Sequence, residues 1–241
     1  MISIIPVEGV PEIRAGDDLA AIIARSAELR EQDVVVVAQK AVSKAEGRVV
    51  RLDEVEPSAR ARALGGPGTD LRQLEVVLRE TARVVRSRGG LVIAETRDGF
   101  VCASAGVDHS NAEAGTVILL PLDADASARR IRAGLAELTG LGLAVIVTDS
   151  FGRPFRKGTT DIAIGVAGLA PLRDLRGTID RSGQALRSTQ VAVADEIAAA
   201  ADLLRTSKAD GLPVVVVRGL HLDGEGSATE LVIPAQRDLF R

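Results

Sequence analysis

The chain has 241 residues, a mass of 25.1 kDa and a formal net charge of −3, from 30 Lys and Arg against 33 Asp and Glu. Apolar residues make up 46% and charged residues 26%, the balance of a folded globular protein with chain enough for a real core, not of a disordered tail or a collagen. A negative charge gives no general attraction to phosphate backbones, and four Phe with no Trp or Tyr offer few faces for base stacking, so no nucleic-acid partner is expected.

The one cysteine, Cys102, has no intramolecular disulfide partner, which fits a reducing compartment. The first residues, MISIIP, lack the basic-then-apolar order of a signal peptide, and the apolar runs are too short to span a bilayer. A cytoplasmic protein without a membrane partner is expected.

Residues 3–7 read as a strand, followed by a Gly/Pro turn. A helix comes next, capped by Asp17 or Asp18, with Leu19, Ile22 and Ile23 as its apolar stripe. Residues 33–38, DVVVVA, form a continuous apolar run that predicts a strand covered on both faces, with a polar stretch at 39–44 beyond its end. Gly65, Gly66, Pro67 and Gly68 break the chain, and Leu71, Leu74 and Leu78 predict a helix over 69–85. Residues 91–95 and 100–104 predict a hairpin around Arg97, Asp98 and Gly99, and 117–120 a short strand. An amphipathic helix is expected at 125–138. A second buried strand at 143–148 ends in Asp149 and Ser150, and a polar loop follows at 152–160. Further expectations are a strand at 161–169, a long Ala-rich helix at 188–206, a strand at 213–217 and a last apolar segment at 231–234. Strands and helices mixed with a hairpin argue for an α+β fold over a regular doubly wound sheet. A single domain over 1–241 is expected, with weak candidate subdomain boundaries near 65–70 and 170–190.

The common short motifs of chemistry are missing. The chain has no GxxxxGK[ST] loop, no GxGxxG after a strand, no HExxH and no CxxC. What remains is acidic and flanked by glycine. Asp149 stands at the carboxyl end of a buried strand, where α/β proteins bind ligands, and Ser150 adds a second hard oxygen suited to Mg²⁺ or Mn²⁺. Arg153, Arg156 and Lys157 supply charge for phosphate or carboxylate groups. A solvated loop with Asp149 as a cap is the plain alternative. Asp108 and Asn111 form a second polar cluster after a strand. Asp108 could share a metal with Asp149, and an Asx turn is the competing reading. His109 is read as a surface residue. Lys40, Ser43 and Lys44 follow the first buried strand, as phosphate-binding residues or as an ordinary basic loop. Of Asp195 and Glu196, adjacent on one helix, only one is expected to face inward.

Several segments, taken together, resemble one family. They are AQKAVSKAEGRVV (38–50), LVIAETRDGFVCASAGVDHSN (91–111), VTDSFGRPFRKGTTDIAIGVAGLAPLRDLRG (147–177) and AVADEIAAAADLL (192–204). In order, and over nearly the whole chain, they are similar to the coenzyme F420:L-glutamate ligases. The resemblance implies an unusual two-part, mixed-sheet α+β fold that forms an intertwined homodimer. It implies a GTP-dependent ligase, in which the γ-phosphate activates the terminal carboxylate of coenzyme F420-0 as an acyl phosphate. The amine of L-glutamate then attacks, with GDP and phosphate released, and γ-linked glutamates extend the tail. It implies two divalent ions, Mg²⁺ or Mn²⁺, with K⁺ as a further ion. By the same resemblance the metal ligands fall on Asp108, Asp149 and Ser150, where threonine is commoner in the family. Nucleotide contacts fall on Pro11, Glu12, Ile13, Ser43, Lys44 and Asn111. They extend to a stretch reading TSKADG here that includes Ser207 and Lys208. Arg153 is added to the candidates on charge alone. The standalone form is expected, without the nitroreductase-like domain of fused relatives. Two other classes stay open: a metal-dependent nucleotide phosphohydrolase, in which the same aspartates activate water, and a non-catalytic deazaflavin- or nucleotide-binding protein.

Overall fold

A computed structural model describes residues 1–205 and 211–239. Its largest sheet has five strands, β1 (Ser3–Pro6), β2 (Val34–Ala38), β8 (Ala144–Gly152), β9 (Thr159–Ala167) and β12 (Val214–Arg218), in the order β1-β12-β2-β8-β9. Only β2 and β8 run parallel; the other neighbours are antiparallel. Val34, Val35, Val36 and Val37 are at most 1% exposed, so the unbroken valine run is covered on both faces, as its pattern predicts. Helix α1 (Leu19–Ser26) packs on α5 (Ala124–Thr139), which lies against β8 and β9, while α6 (Val193–Asp202) lies mainly against β9. The Asp18 carboxylate accepts from the Ala21 amide and so caps α1. Gly165 on β9 is where α5 comes closest: a Cβ there would stand 2.2 Å from the Ala124 carbonyl oxygen.

A second, smaller core joins α3 (Ala59–Leu64) and α4 (Leu71–Arg79) to two further sheets. One sheet pairs β3 (Val49–Arg51) with β7 (Thr116–Ile118). The other is a three-stranded meander of β4 (Thr81–Arg88), β5 (Leu91–Thr96) and β6 (Val101–Ala103). Leu74, Val77, Val92, Ala94 and Val117 fill this core. A short ribbon of β10 (Arg173–Asp174) and β11 (Gln190–Val191) precedes α6. The fold is α+β with mixed sheets, as the element pattern predicts.

Several boundaries move. The helix expected over 69–85 stops at Arg79, where the Thr81 hydroxyl donates to the Val77 carbonyl. Thr81, Val84 and their neighbours then pair with β5, because β-branched residues next to a waiting strand gain more from cross-strand pairing than from another helical turn. The polar stretch at 39–44 is helical, forming α2 (Gln39–Ala45). The expected loop at 152–160 is shorter, since β8 continues through Gly152 and β9 begins at Thr159 as a long hairpin. The helix expected from 188 begins only at Val193. The segment 231–234 is no strand; a 3-10 turn, Ala228–Leu231, leads into it. On α6, Asp195 turns inward to accept from the Ala163 amide at 2.9 Å, and Glu196 is exposed.

Candidate functional site

The parallel pair decides where the site lies. Ala38 and Thr148 are register partners, and β2 stops there while β8 runs on to Gly152. Gln39 and Lys40, which open α2, and Asp149 and Ser150, further along β8, face one cleft of about 910 Å³. The crevice opens because the chain leaves β2 into α2 while β8 continues along its hairpin with β9. The third wall is the turn after β6, where Ser104, Ala105 and Gly106 all take positive φ of 53°, 49° and 72°. Gly106 is required there, since a Cβ would come within 2.6 Å of the Leu120 side chain. This left-handed turn aims the following residues, Asp108 to Asn111, at the cleft. Phe151, buried next to Ser150, meets Phe100 edge-on at a centroid distance of 6.4 Å and ties β8 to the meander.

Asp108, Asp149 and Ser150 therefore share the cleft wall, as do Pro11, Glu12, Ile13, Lys44 and Asn111. Lys40 Nζ lies 2.7 Å from Asp108 Oδ2. The Ser110 amide and hydroxyl donate to the same carboxylate, each at 2.8 Å. Although burial works against it, these donors hold Asp108 well below the usual carboxylate range. Asp149 behaves in the opposite way: burial, with added repulsion from Asp161 and Asp108, pushes it up to about 7. Lys44 Nζ reaches Glu12 Oε1 at 2.6 Å, so the 11–13 turn and the end of α2 meet as one rim.

Two predicted residues stand elsewhere. Ser43 is fully buried, and its hydroxyl donates to Gln39 Oε1 at 2.8 Å without reaching the cleft wall. Position 43 lies four residues on from Gln39, on the inner face of α2. Arg153 is on the exposed tip of the β8–β9 hairpin, where its guanidinium donates to the Lys157 carbonyl, off the cleft wall. Ser207 and Lys208 lie outside the described residues. His109, read as a surface residue, is exposed but does line the cleft.

The structure adds residues that spacing did not single out. Gln39 is 1% exposed and on the wall, and among the described residues its Nε2 has no hydrogen-bond partner. A buried donor left unpaired in this way is suited to an acceptor on a ligand. Asp161, on β9, is 4% exposed and accepts from Thr148, Ser150 and Arg205. Cys102 also lines the cleft, but burial first and the Asp149 charge second push its thiol up to about 12, which makes it a poor nucleophile.

The donor set fits a hard divalent cation. Asp108, Asp149 and Ser150 offer oxygens only, and the two carboxylates repel each other across the space between them. Among the described residues no group of three His, Cys, Asp or Glu side chains is placed to enclose an ion by itself. Any remaining ligands would come from water or another oxygen donor, which is how Mg²⁺ is commonly held.

Comparison with known proteins agrees with the sequence resemblance. The family model for F420-0:Gamma-glutamyl ligase matches residues 9–219. The coenzyme F420:L-glutamate ligase of Methanopyrus kandleri is 46% identical over 244 residues, covering 98% of this chain and 97% of that protein. The one from Methanothermobacter thermautotrophicus is 43% identical over 249 residues, 100% of this chain and 99% of its own. That of Archaeoglobus fulgidus is 42% identical over 241 residues, 100% and 96%. With a family model spanning most of its length and such relatives along all of it, the chain belongs to the F420-0:gamma-glutamyl ligase family.

Proposed function

We propose that this chain joins L-glutamate to coenzyme F420-0 at the expense of GTP, through an acyl phosphate, and that it then adds γ-linked glutamates. The observation that carries the reading is the pairing of Asp108 with Asp149 and Ser150 in a cleft rimmed by Lys40 and Lys44. Phosphoryl transfer needs charge neutralisation and alignment more than a protein nucleophile, and cations held by these oxygens beside Lys40 and Lys44 would supply the neutralisation. In this reading the γ-phosphate passes to the F420-0 carboxylate, giving GDP and the acyl phosphate. The glutamate amine then displaces phosphate, loses a proton and leaves an amide. Asp108, Asp149 and Ser150 would hold the divalent ions, Mg²⁺ or Mn²⁺, which supply charge neutralisation at the transferring phosphoryl group. Lys40 orients Asp108, and Gln39 Nε2, with Asn111 and the 11–13 turn, is assigned to the nucleotide. Use of K⁺ and assembly as a homodimer belong to the same proposal.

The test is mass spectrometry of a reaction holding F420-0, L-glutamate, GTP and Mn²⁺. The expected product is heavier by one or more glutamyl units. Phosphate release that does not require glutamate, with no mass gain, would replace this reading with a nucleotide phosphohydrolase. Binding without turnover would replace it with a non-catalytic nucleotide protein. D108A and D149A are each expected to remove most turnover while the fold stays intact, as read by circular dichroism. Near-wild-type turnover at saturating Mg²⁺ in either variant would show that its residue is not a ligand.

A further inference from the structure

Ser150 is exposed on the cleft, but its hydroxyl is committed beneath it. Ser150 and Asp161 are register partners across β8 and β9, and Ser150 Oγ lies 2.6 Å from Asp161 Oδ1. The other oxygen, Oδ2, accepts from Thr148 Oγ1 at 2.9 Å and from Arg205 Nη1 at 2.7 Å. Arg205 is itself anchored: Nε donates to the Leu212 carbonyl, and Nη2 to the carbonyls of Val36 and Pro213. The Asp161 and Arg205 side chains are 5% and 12% exposed. Facing the guanidinium donor of Arg205 and the Thr148 hydroxyl, the Asp161 carboxylate is placed to accept hydrogen bonds. The Ser150 proton must therefore point down at Asp161, which leaves both oxygen lone pairs for the cleft.

We propose that Asp161 is a positioning residue, locked by Arg205, that sets the direction of the Ser150 hydroxyl and so makes it a cation ligand. This rests on the reading of Ser150 as a metal ligand. The arrangement is of the kind that orients ligands around metal sites, where losing the outer partner commonly costs about 10–100-fold in metal affinity. D161N is the informative change. The amide must turn its one oxygen toward Arg205, because Arg205 has only donors. The Asn Nδ2 then donates to Ser150 Oγ, takes up a lone pair and pushes the hydroxyl proton into the cleft, against a cation.

The test titrates wild type, S150A, D161N and S150A/D161N with Mn²⁺ alone and with Mn²⁺ plus GDP, following the free-ion electron paramagnetic resonance signal. Thermal melts run alongside. The expected result is that D161N weakens Mn²⁺ about tenfold or more, that S150A does likewise, and that the double variant is no weaker than S150A. Melting temperature responds to the lost buried charge pair in either background; the loss of Mn²⁺ affinity requires the serine. If S150A weakens Mn²⁺ and D161N leaves it within about twofold, Asp161 is structural only and the proposal fails while the metal site stands. If S150A leaves Mn²⁺ affinity unchanged, Ser150 is no ligand, and both the site assignment and the proposal fall. Should D161N not fold, D161A/R205M, which removes the acceptor beneath Ser150 together with the opposing charge, is read by the same criteria.

Discussion

Removing the guanidinium of Arg218 should cost stability and leave catalysis alone. Asp33 is fully buried at the start of β2, at the opposite end of the strand from the cleft. Arg218 grips it with two bonds, Nε to Oδ1 at 2.8 Å and Nη2 to Oδ2 at 2.7 Å, and also donates to the Glu28 carbonyl. In R218M the carboxylate keeps, among the described residues, the Arg30 amide at 2.8 Å. Breaking a buried pair by removing one partner costs roughly 3–5 kcal/mol. Because the Arg218 side chain is 22% exposed, water reaches part of the gap, and the low end, about 3 kcal/mol, applies. For a chain of this length that is a fall in Tm of roughly 6–12 °C. The double variant D33N/R218M buries no lone charge and should regain most of the loss. Denaturant melts of both variants, with turnover measured at a temperature where both are folded, give the answer. A loss below about 1 kcal/mol in R218M would class the pair with ordinary surface bridges and refute the burial argument. A fall in turnover of the folded variant would refute the separation of this end of the sheet from the cleft.

Gly165→Ala should destabilise by about 3 kcal/mol in denaturant melts, because its Cβ would meet the Ala124 backbone, which cannot move without shifting α5. Glu75 is held below its ordinary 4.5 by the Ser58 side chain and amide, and by Arg79. Its folded value is the lower one, so its contribution is fully present above about pH 4.5 and is lost as pH falls through the folded value. E75Q should therefore lose roughly 1–2 kcal/mol at pH 7, and the gap from wild type should close in acid; a gap constant down to pH 3 would contradict this. Cys102, 7% exposed with its thiol near 12, should resist iodoacetamide at pH 8 in the native protein and react once unfolded; mass spectrometry reads the adduct.

Much of the fold was legible because it is written in local patterns. The runs DVVVVA and LAVIVT read as buried strands, and Asp17 or Asp18 ahead of an apolar stripe reads as a helix start, which the structure places at Asp18. Asp149 and Asp108 stand out because each polar cluster begins where an apolar run stops, but β8 runs on to Gly152 and carries Asp149 within the strand, and Asp108 follows a 3-10 turn after β6. The helix drawn over 69–85 failed for the converse reason. Thr81 to Arg88 has no local signal strong enough to choose, and the presence of β5 chose for it.

What decided the site was the crossing of distant segments. The parallel register of β2 and β8 set Gln39 and Lys40 beside Asp149, and no spacing rule foretells that register. Ser43 reads as a nucleotide contact and Gln39 does not, yet α2 buries both and leaves Gln39, not Ser43, on the cleft wall. Asp161 and Arg205 are 44 residues apart and unremarkable in composition, and they become a single buried unit only through the hairpin register and the turn after α6. Sequence determines which residues must be buried and which elements form, because burial and capping are read a few residues at a time. The pairing of charges across a cleft belongs to the tertiary structure, because the desolvation and Coulomb energies that set it depend on distances between chain segments that only folding brings together.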